Sequence, residues 1–523
     1  MTGREESDDR VVPEGDRKVA PTAEAERGGK AITVKEQARQ LHLLLETAET
    51  PRGAVDGVEE GQPSSEPIAE PKSRNKRRQP SPAMMTMEEV ASHGNLKRAF
   101  EQVSANKGAP GPDRQDVEFV RQRIGRILPE LSRSLMDGSY TPGQIRRVWI
   151  PKPGGGERGL GIPNVIDRIV QQAVLQIMSP QYEPTFHGSS HGFRPGRSCH
   201  TAIAEAKEYV TEGHEWVVDL DLEKFFDRVH HDRLMARLAQ RISDIRVLRL
   251  IRRMLKAKVV MPDGVVVSTE EGTPQGGPLS PLLSNIVLDE LDRELEQRGH
   301  RFVRYADDCT IYVRSERSGH RVMASVVRFI EKRLRLKVNQ TKSTVARPEE
   351  RHFLGFRLKM KPLSGGADVL LSQRTISRVY EKIRTLTPRN WGQTLKACID
   401  QMNRYLAGWI QFFRICTYRD VWMLFYLDAH IRRRLRAILL RHWKRKRTIV
   451  KRLIGLGVTS AVARRGVLSG HKSWWRLSHN AAVEKGLDAS YFKARGLLSL
   501  DAEWRRLNPR QIVASGQLTL SLG

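Results

Sequence analysis

The sequence predicts an α+β protein with a helical and strongly basic C-terminal third, on three observations. Two short β-prone runs carry paired aspartates: Trp216-Val217-Val218-Asp219-Leu220-Asp221, and Phe302-Val303-Arg304-Tyr305-Ala306-Asp307-Asp308-Cys309. Beyond residue 370 the apolar positions recur at three- and four-residue spacing, through Ile376, Val379, Ile383, Cys398, Met402, Leu406 and Trp409, as one face of a helix requires. Charge is polarised as well as large. The 523 residues carry a net charge of +29; residues 1–86 hold 14 Lys+Arg against 16 Asp+Glu, whereas 371–523 hold 30 against 8. Such a balance favours a polyanionic partner and places the surface for it in the last third of the chain.

In chain order, residues 1–82 are rich in Pro, Gly, Glu and Ser, with a basic run from Lys72 to Arg78. They read as a largely disordered extension, apart from an amphipathic patch from Val34 to Thr47. From Met87 the pattern turns helical through Leu96, Phe100 and Val103, and Asn106 to Gly111 is a turn. Residues 83–145 form the next unit. Arg147 to Lys152 is strand-like, and Gly154-Gly155-Gly156 turns the chain back toward Arg158. A glycine loop between two cations suits a triphosphate, although no Gly-Lys-Ser/Thr ends it as in a P-loop. His191 to Ser198 is a basic turn before a helix whose N-terminus suits phosphate. Gly272 to Pro281 has three glycines and three prolines in ten residues, and an amphipathic helix follows from about Leu282 to Gln297. Its Gly276-Gly277 pair allows backbone to approach a ligand closely.

The chemistry centres on Asp307-Asp308, at the tip between two strand-like runs. Two carboxylates that close repel, and one takes up a proton unless a cation is held there. Mg²⁺ is the natural partner, being hard and oxygen-loving. Asp219 or Asp221 supplies a third carboxylate, as a two-metal site for phosphoryl transfer needs. The four cysteines (Cys199, Cys309, Cys398, Cys416) form no C-x-x-C pair, so neither a zinc ribbon nor a disulfide framework is indicated. No run approaches 18 apolar residues and the N-terminus lacks a signal-peptide core, which predicts a cytoplasmic protein with no membrane partner.

Together, in this order, these segments resemble the reverse transcriptases encoded by bacterial group II introns, the intron maturases. The resemblance runs from about residue 87 to 523. Lys152–Asp167 and His191–Ser198 resemble the fingers motifs, and Val218–Asp227 the first palm motif. Gly272–Leu288 resembles the loop-and-helix motif, Phe302–Val313 the Tyr-Ala-Asp-Asp motif, Leu336–Ser343 the palm lysine motif and His352–Phe356 the primer grip. The resemblance implies a right-hand polymerase: fingers and palm over 146–365, a helical thumb or maturase (X) domain over 366–450, and a basic C-terminal domain over 451–523. It implies an RNA-directed DNA polymerase that also binds intron RNA to assist splicing and mobility. Its partners would be intron RNA, RNA template, DNA primer or target, and dNTPs.

By the same resemblance Asp221, the Leu222 carbonyl, Asp307 and Asp308 hold two Mg²⁺ ions, with Mn²⁺ as a substitute. Asp219 is then an accessory acid paired with an arginine. Lys152 and Arg158 contact the dNTP phosphates, Phe226 walls off a 2′-hydroxyl, and Gln275 lies along the nucleotide. Lys342 protonates pyrophosphate, and Phe353, Leu354 and Gly355 form the primer grip. Nucleic-acid backbone is expected at Arg432, Arg433, Arg434, Arg436, Arg441, Lys444, Arg445, Lys446 and Arg447, part of a run of eleven cations and no acid in residues 432–452. Trp474-Trp475, Arg476 and Tyr491-Phe492 mix aromatics with cations, which suits base stacking or the packing of a small helical domain. The family's HNH endonuclease is expected to be absent, and the protein nucleoid-associated in a bacterium. Two alternatives share the motifs: a domesticated polymerase in DNA repair, phage defence or CRISPR adaptation, and a splicing factor with a vestigial polymerase.

Overall fold

The computed structural model describes residues 85–152, 156–361, 366–388, 392, 394–417, 421–469 and 473–509. The expected disordered extension, with its Val34–Thr47 patch, lies outside them, as do residues 154 and 155 of the glycine turn. The opening helices Met87–Ala91 and His93–Ala105 follow the predicted apolar spacing. Each starts on a hydroxyl, Thr86 or Ser92, whose side chain accepts a backbone N–H of the first turn.

Three small sheets organise the middle of the chain. β1 (Ile145–Pro151) and β2 (Glu157–Ile162) form an antiparallel hairpin, extended by β4 (Val259–Val260) and β5 (Val266–Val267) in the order β2-β1-β4-β5. The second sheet contains β3 (Trp216–Leu220), β6 (Arg301–Tyr305), β7 (Asp308–Val313) and β8 (Thr344–Ala346), in the order β6-β7-β3-β8. A third is the pair β9 (Phe356–Met360) and β10 (Ala367–Leu371).

The second sheet separates two cores, and the alternation of its side chains explains how. Val218, Leu220, Phe302, Cys309, Ile311 and Val313 join the core built on the first half of the chain. Val217, Val303 and Tyr312, one residue out of step, join a core shared with β9, β10 and the later helices. Strands buried on both faces need apolar residues on both parities, and this is what the runs at 216–220 and 302–313 contain. Any aspartate on these strands therefore sits where desolvation is severe, unless it lies at an end.

The later helices begin with Gln373–Leu386, Leu395–Phe413 and Val421–Trp443, as the spacing predicts. Short helices follow, from Lys446–Gly455 to Leu500–Leu507. Residues on both sides of position 450 share one apolar core, so the expected boundary there separates no independent core. Asp428, buried in the third helix, receives the Ser499 hydroxyl at 2.6 Å and the Leu500 N–H at 2.9 Å, fixing the start of the last helix. Fully buried Trp504 donates its indole N–H to the Cys416 carbonyl at 3.2 Å. The tail aromatics divide in the same way. Phe492 is core, and Trp475 lies under the Arg433 guanidinium at 4.1 Å.

Candidate active site

The Asp307-Asp308 pair falls at a tight hairpin, with Tyr305 opposite Asp308 and only Ala306 and Asp307 between. Ala306 has φ 57, a left-handed conformation that a residue with a Cβ enters only when its surroundings hold it there. They do. Arg304, 0 % exposed, sends its guanidinium under the turn and donates to the Ala306 carbonyl at 2.8 Å. The same guanidinium reaches Asp292 at 2.7 and 2.5 Å, Asn285 at 3.0 Å and the Ser190 hydroxyl at 2.7 Å. From the other side Gly192 packs its backbone on Ala306, so close that a Cβ there would collide with the Ala306 nitrogen. Its carbonyl accepts from Asn285 at 2.9 Å. A buried ion pair is expensive to break, about 3–5 kcal/mol, because the remaining charge is stranded. The hairpin is thus clamped between the helix Ser280–Gln297 and the 190–192 segment.

Sequence reading missed this clamp. A signal was present: Asn285 and Asp292 lie seven residues apart, on the helix face that carries Leu288 and Leu295. Polar residues on an apolar face need a buried partner. Within the His191–Ser198 turn, Arg194 is buried and donates to Glu183 and to the His187 and Ser190 carbonyls, so its guanidinium holds the turn together.

Asp219 and Asp221 come to this hairpin from β3. Asp219 pairs across the sheet with Thr310, and Arg351 donates to its carboxylate at 2.9 and 2.6 Å. Burial raises its pKa while Arg351 opposes the rise. Asp221 lies one residue beyond the strand. Its N–H donates to the Ser343 hydroxyl at 3.0 Å and its carbonyl accepts from Asn339 at 2.8 Å, so the 339–343 turn holds its backbone. The Lys342 ammonium sits 3.2 Å from its carboxylate, with a side chain 64 % exposed. Leu222, buried, bridges to Val338.

Electrostatics makes the four carboxylates one group. Asp308 is pushed up to about 7 by burial in the cleft and then by Asp307, Asp219 and Asp221, with Arg158 opposing. Its side chain nevertheless stays exposed, so solvent tempers the burial contribution and the crowd of like charges is the firmer cause. Asp307 is raised too, by burial and by Asp221, against Arg158 and Arg304. Among the described residues neither Asp307 nor Asp308 forms an ion pair, and no three carboxylate, histidine or cysteine side chains converge closely enough to grip an ion as they stand. The donors still suit a hard cation: oxygen ligands only, Asp307 and Asp308 raised by burial and by neighbouring carboxylates, and a lysine ammonium already standing beside Asp221.

The other predicted residues surround this group. Lys152 and Arg158 are both exposed on the β1–β2 hairpin, Arg158 opposite Ile150, and Arg158 is near enough to lower the pKa of both hairpin aspartates. The Gly272–Gly277 loop ties the two sheets together. The Gln275 carbonyl accepts from Gly161 of β2 at 2.7 Å, and the Thr273 N–H donates to the Phe226 carbonyl at 2.6 Å. At φ 123, Gly276 abuts the Gly161 carbonyl, so its missing side chain makes room for the fingers strand. Phe225 is core while Phe226, stacked edge-on to it at 5.2 Å, stays partly exposed. Phe353 and Phe356 exchange backbone hydrogen bonds at 3.0 and 2.9 Å around Leu354 (φ 51) and Gly355 (φ 94), a turn of the tight hairpin kind. The Gly355 carbonyl accepts from Thr375 at 2.7 Å, which couples this turn to the first thumb helix.

The basic run at 432–447 does not present one uniform face. Arg441, Lys444, Arg445 and Arg447 are exposed, and Arg432 and Lys446 are partly so. Arg436 is a correction: it is 7 % exposed, and its guanidinium donates to the Leu487 carbonyl and to Glu484, both at 2.8 Å. Arg434 likewise donates to Thr387 and Arg433 lies on Trp475, so both hold the later helices in place.

A carboxylate hairpin mounted on a sheet, faced by a cationic fingers hairpin and backed by a helical thumb, defines the class of right-hand nucleotidyl-transferring polymerases. Residues 150–358 match the model of the reverse transcriptase (RNA-dependent DNA polymerase) family, and residues 376–454 match the group II intron maturase-specific domain. Protein YkfC of Escherichia coli is 36% identical over 298 residues, 49% of this chain and 78% of that protein. The group II intron-encoded protein LtrA of Lactococcus lactis is 39% identical over 210 residues, 39% of this chain. That match spans only 34% of LtrA's own length. The chain belongs to the reverse transcriptases of group II introns, with their maturase-specific domain. No described helix is long and apolar enough to cross a membrane.

Proposed function

We propose that this protein copies RNA into DNA and, through its thumb and C-terminal surfaces, binds the RNA of a group II intron and assists its splicing and mobility. The observation that carries the polymerase reading is the clamped Asp307-Asp308 hairpin, with Asp221 and Arg158 turned to it. Asp221, Asp307, Asp308 and the Leu222 carbonyl would hold two Mg²⁺ ions. When bound, these ions supply charge neutralisation for an attacking primer 3′-hydroxyl and for the departing pyrophosphate.

The chain's own residues supply the rest. Lys152 and Arg158 draw in the triphosphate, and Gln275, fixed by its backbone against β2, lines the nucleotide's sugar. The partly exposed ring of Phe226 fills the space that a 2′-hydroxyl would need. Lys342, whose ammonium stands 3.2 Å from the Asp221 carboxylate on a largely exposed side chain, would give a proton to the departing pyrophosphate. The turn at Phe353, Leu354 and Gly355 holds the primer end in step with the thumb. Residues 146–365 would then be fingers and palm, 366–450 the maturase domain and 451–523 its basic continuation, in a protein that stays with the nucleoid.

The test has two arms on the purified chain: Mg²⁺-dependent extension of a DNA primer on an RNA template, and splicing of a group II intron RNA with and without protein. Extension without splicing assistance would favour the domesticated-polymerase alternative. Splicing assistance without extension would favour the vestigial-polymerase alternative.

A further inference from the structure

The helix Ile245–Leu255 has two unlike faces. Val247, Leu250, Ile251, Met254 and Leu255 are buried in the core. Arg249, Arg252, Arg253 and Lys256 fall at i, i+3, i+4 and i+7 on the opposite face, and all four are exposed. Between this face and residues 141–144 lies an open cavity of about 500 Å³, lined by these four cations with Lys258, Pro142 and Ala257. No acid lines it, and residues 245–258 contain six Lys or Arg and no Asp or Glu. A helix face that is merely solvated mixes its signs.

The individual cations have different duties. Arg253 donates to the Gly138 and Tyr140 carbonyls at 2.7 and 2.9 Å, and so holds the cavity wall. Arg252 pairs with Asp232 at 2.7 Å, but both side chains are largely exposed and such a pair is weak. Arg249, Lys256 and Lys258 form no ion pair among the described residues. Like charges facing one concavity repel each other until an anion enters. The stripe from Arg249 to Lys256 rises about 10 Å along the helix, enough to meet more than one phosphate of a strand. The donors are spread along the groove and none is buried, which suits a chain of phosphates better than a single small anion.

We propose that this groove on the outside of the fingers binds the phosphate backbone of RNA, independently of the 432–452 cluster. The proposal rests on the reading of the chain as an RNA-binding protein and adds a second surface to it. Thr141 and Gln144 line the groove beside Pro142 and Ala257, but its five cations dominate it and address phosphate rather than base edges, so binding here depends chiefly on charge.

The test uses the full chain and oligo(U) as probe, comparing wild type with the triple variant R249Q/K256Q/K258Q. Three lost phosphate contacts should lower the slope of log affinity against log salt by about 2, and weaken binding roughly tenfold or more. Thermal unfolding and extension of a saturating primer–template should be unchanged. Adding R441Q/K444Q/R447Q should lower the slope further, because the two surfaces act separately. Equal affinity and slope in a folded triple variant, with wild type binding normally, would overturn this site alone. Displacement of oligo(U) by inorganic phosphate at matched ionic strength would overturn it in favour of a small-anion site. A wild-type protein that does not bind oligo(U) would overturn the RNA reading as a whole.

Discussion

The guanidinium of Arg304 and those of the 432–447 run are chemically identical, and the protein uses them in opposite ways. Arg304 is sealed in, and its donors are spent on Asp292, Asn285, Ser190 and Ala306. It fixes the geometry of a turn and meets no ligand. Arg445 and Arg447 lie open to solvent and form no ion pair among the described residues. Arg436 stands among the second group in sequence and belongs with the first in structure. An arginine's function is therefore set by whether its donors are already used, which local sequence does not record.

The largest expected effect lies at the carboxylates, where Asp221 and Asp219 can be set against each other. Asp221→Ala should lower primer extension at least about a thousandfold, since a lost metal ligand costs several kcal/mol of transition-state stabilisation. Asp219→Ala should cost far less, its carboxylate being taken by Arg351. Single-turnover extension decides between them, and the reverse order would exchange their roles.

Next comes the clamp. Arg304→Met strands Asp292 and should destabilise the fold by about 3–5 kcal/mol in chemical denaturation. Arg304→Lys, which keeps the charge but not the fork, should recover part of that stability while raising the Mg²⁺ concentration needed for half-maximal extension. Full recovery of both would mean that the guanidinium geometry does not position the turn.

A smaller effect is expected at Phe226→Val, which opens space beside the sugar. Incorporation of rNTP relative to dNTP should rise by roughly ten- to a hundredfold, as pocket contacts of this size allow. Unchanged discrimination with normal dNTP use would move the wall elsewhere.

The smallest effects sharpen the comparison of arginines directly. Arg436→Ala should destabilise the fold by about 1–3 kcal/mol, because the Leu487 carbonyl and Glu484 lose their donor. Its salt dependence of RNA binding should barely change. Arg447→Ala should do the converse, leaving stability within about 0.5 kcal/mol and lowering the salt slope by about 0.7. The same behaviour in both variants would erase the distinction.

Much of this was legible in the sequence for a physical reason. The hairpin at 302–313 and the strand at 216–220 are local: apolar residues on both parities, interrupted by acids only at the ends or at a position that finds an arginine. Helical period marked the thumb equally well. What stayed hidden depends on distant segments meeting. The Arg304 clamp joins residues 190, 285, 292 and 304, and the fingers groove needs residues 141–144 brought opposite 249–258. The loss of Arg436 from the cationic face depends on Glu484, dozens of residues away. Spacing along the chain reports faces, and says little about which face is covered by what.

The central claim is that the Asp307-Asp308 hairpin performs Mg²⁺-dependent DNA synthesis on an RNA template. Its most direct test is single-turnover primer extension by Asp308→Asn, with RNA affinity measured on the same preparation. Asparagine keeps the size of the side chain and the turn, and removes the charge that a cation needs. The account predicts that extension is lost while RNA affinity stays at the wild-type level. Extension near the wild-type rate in that variant would contradict it.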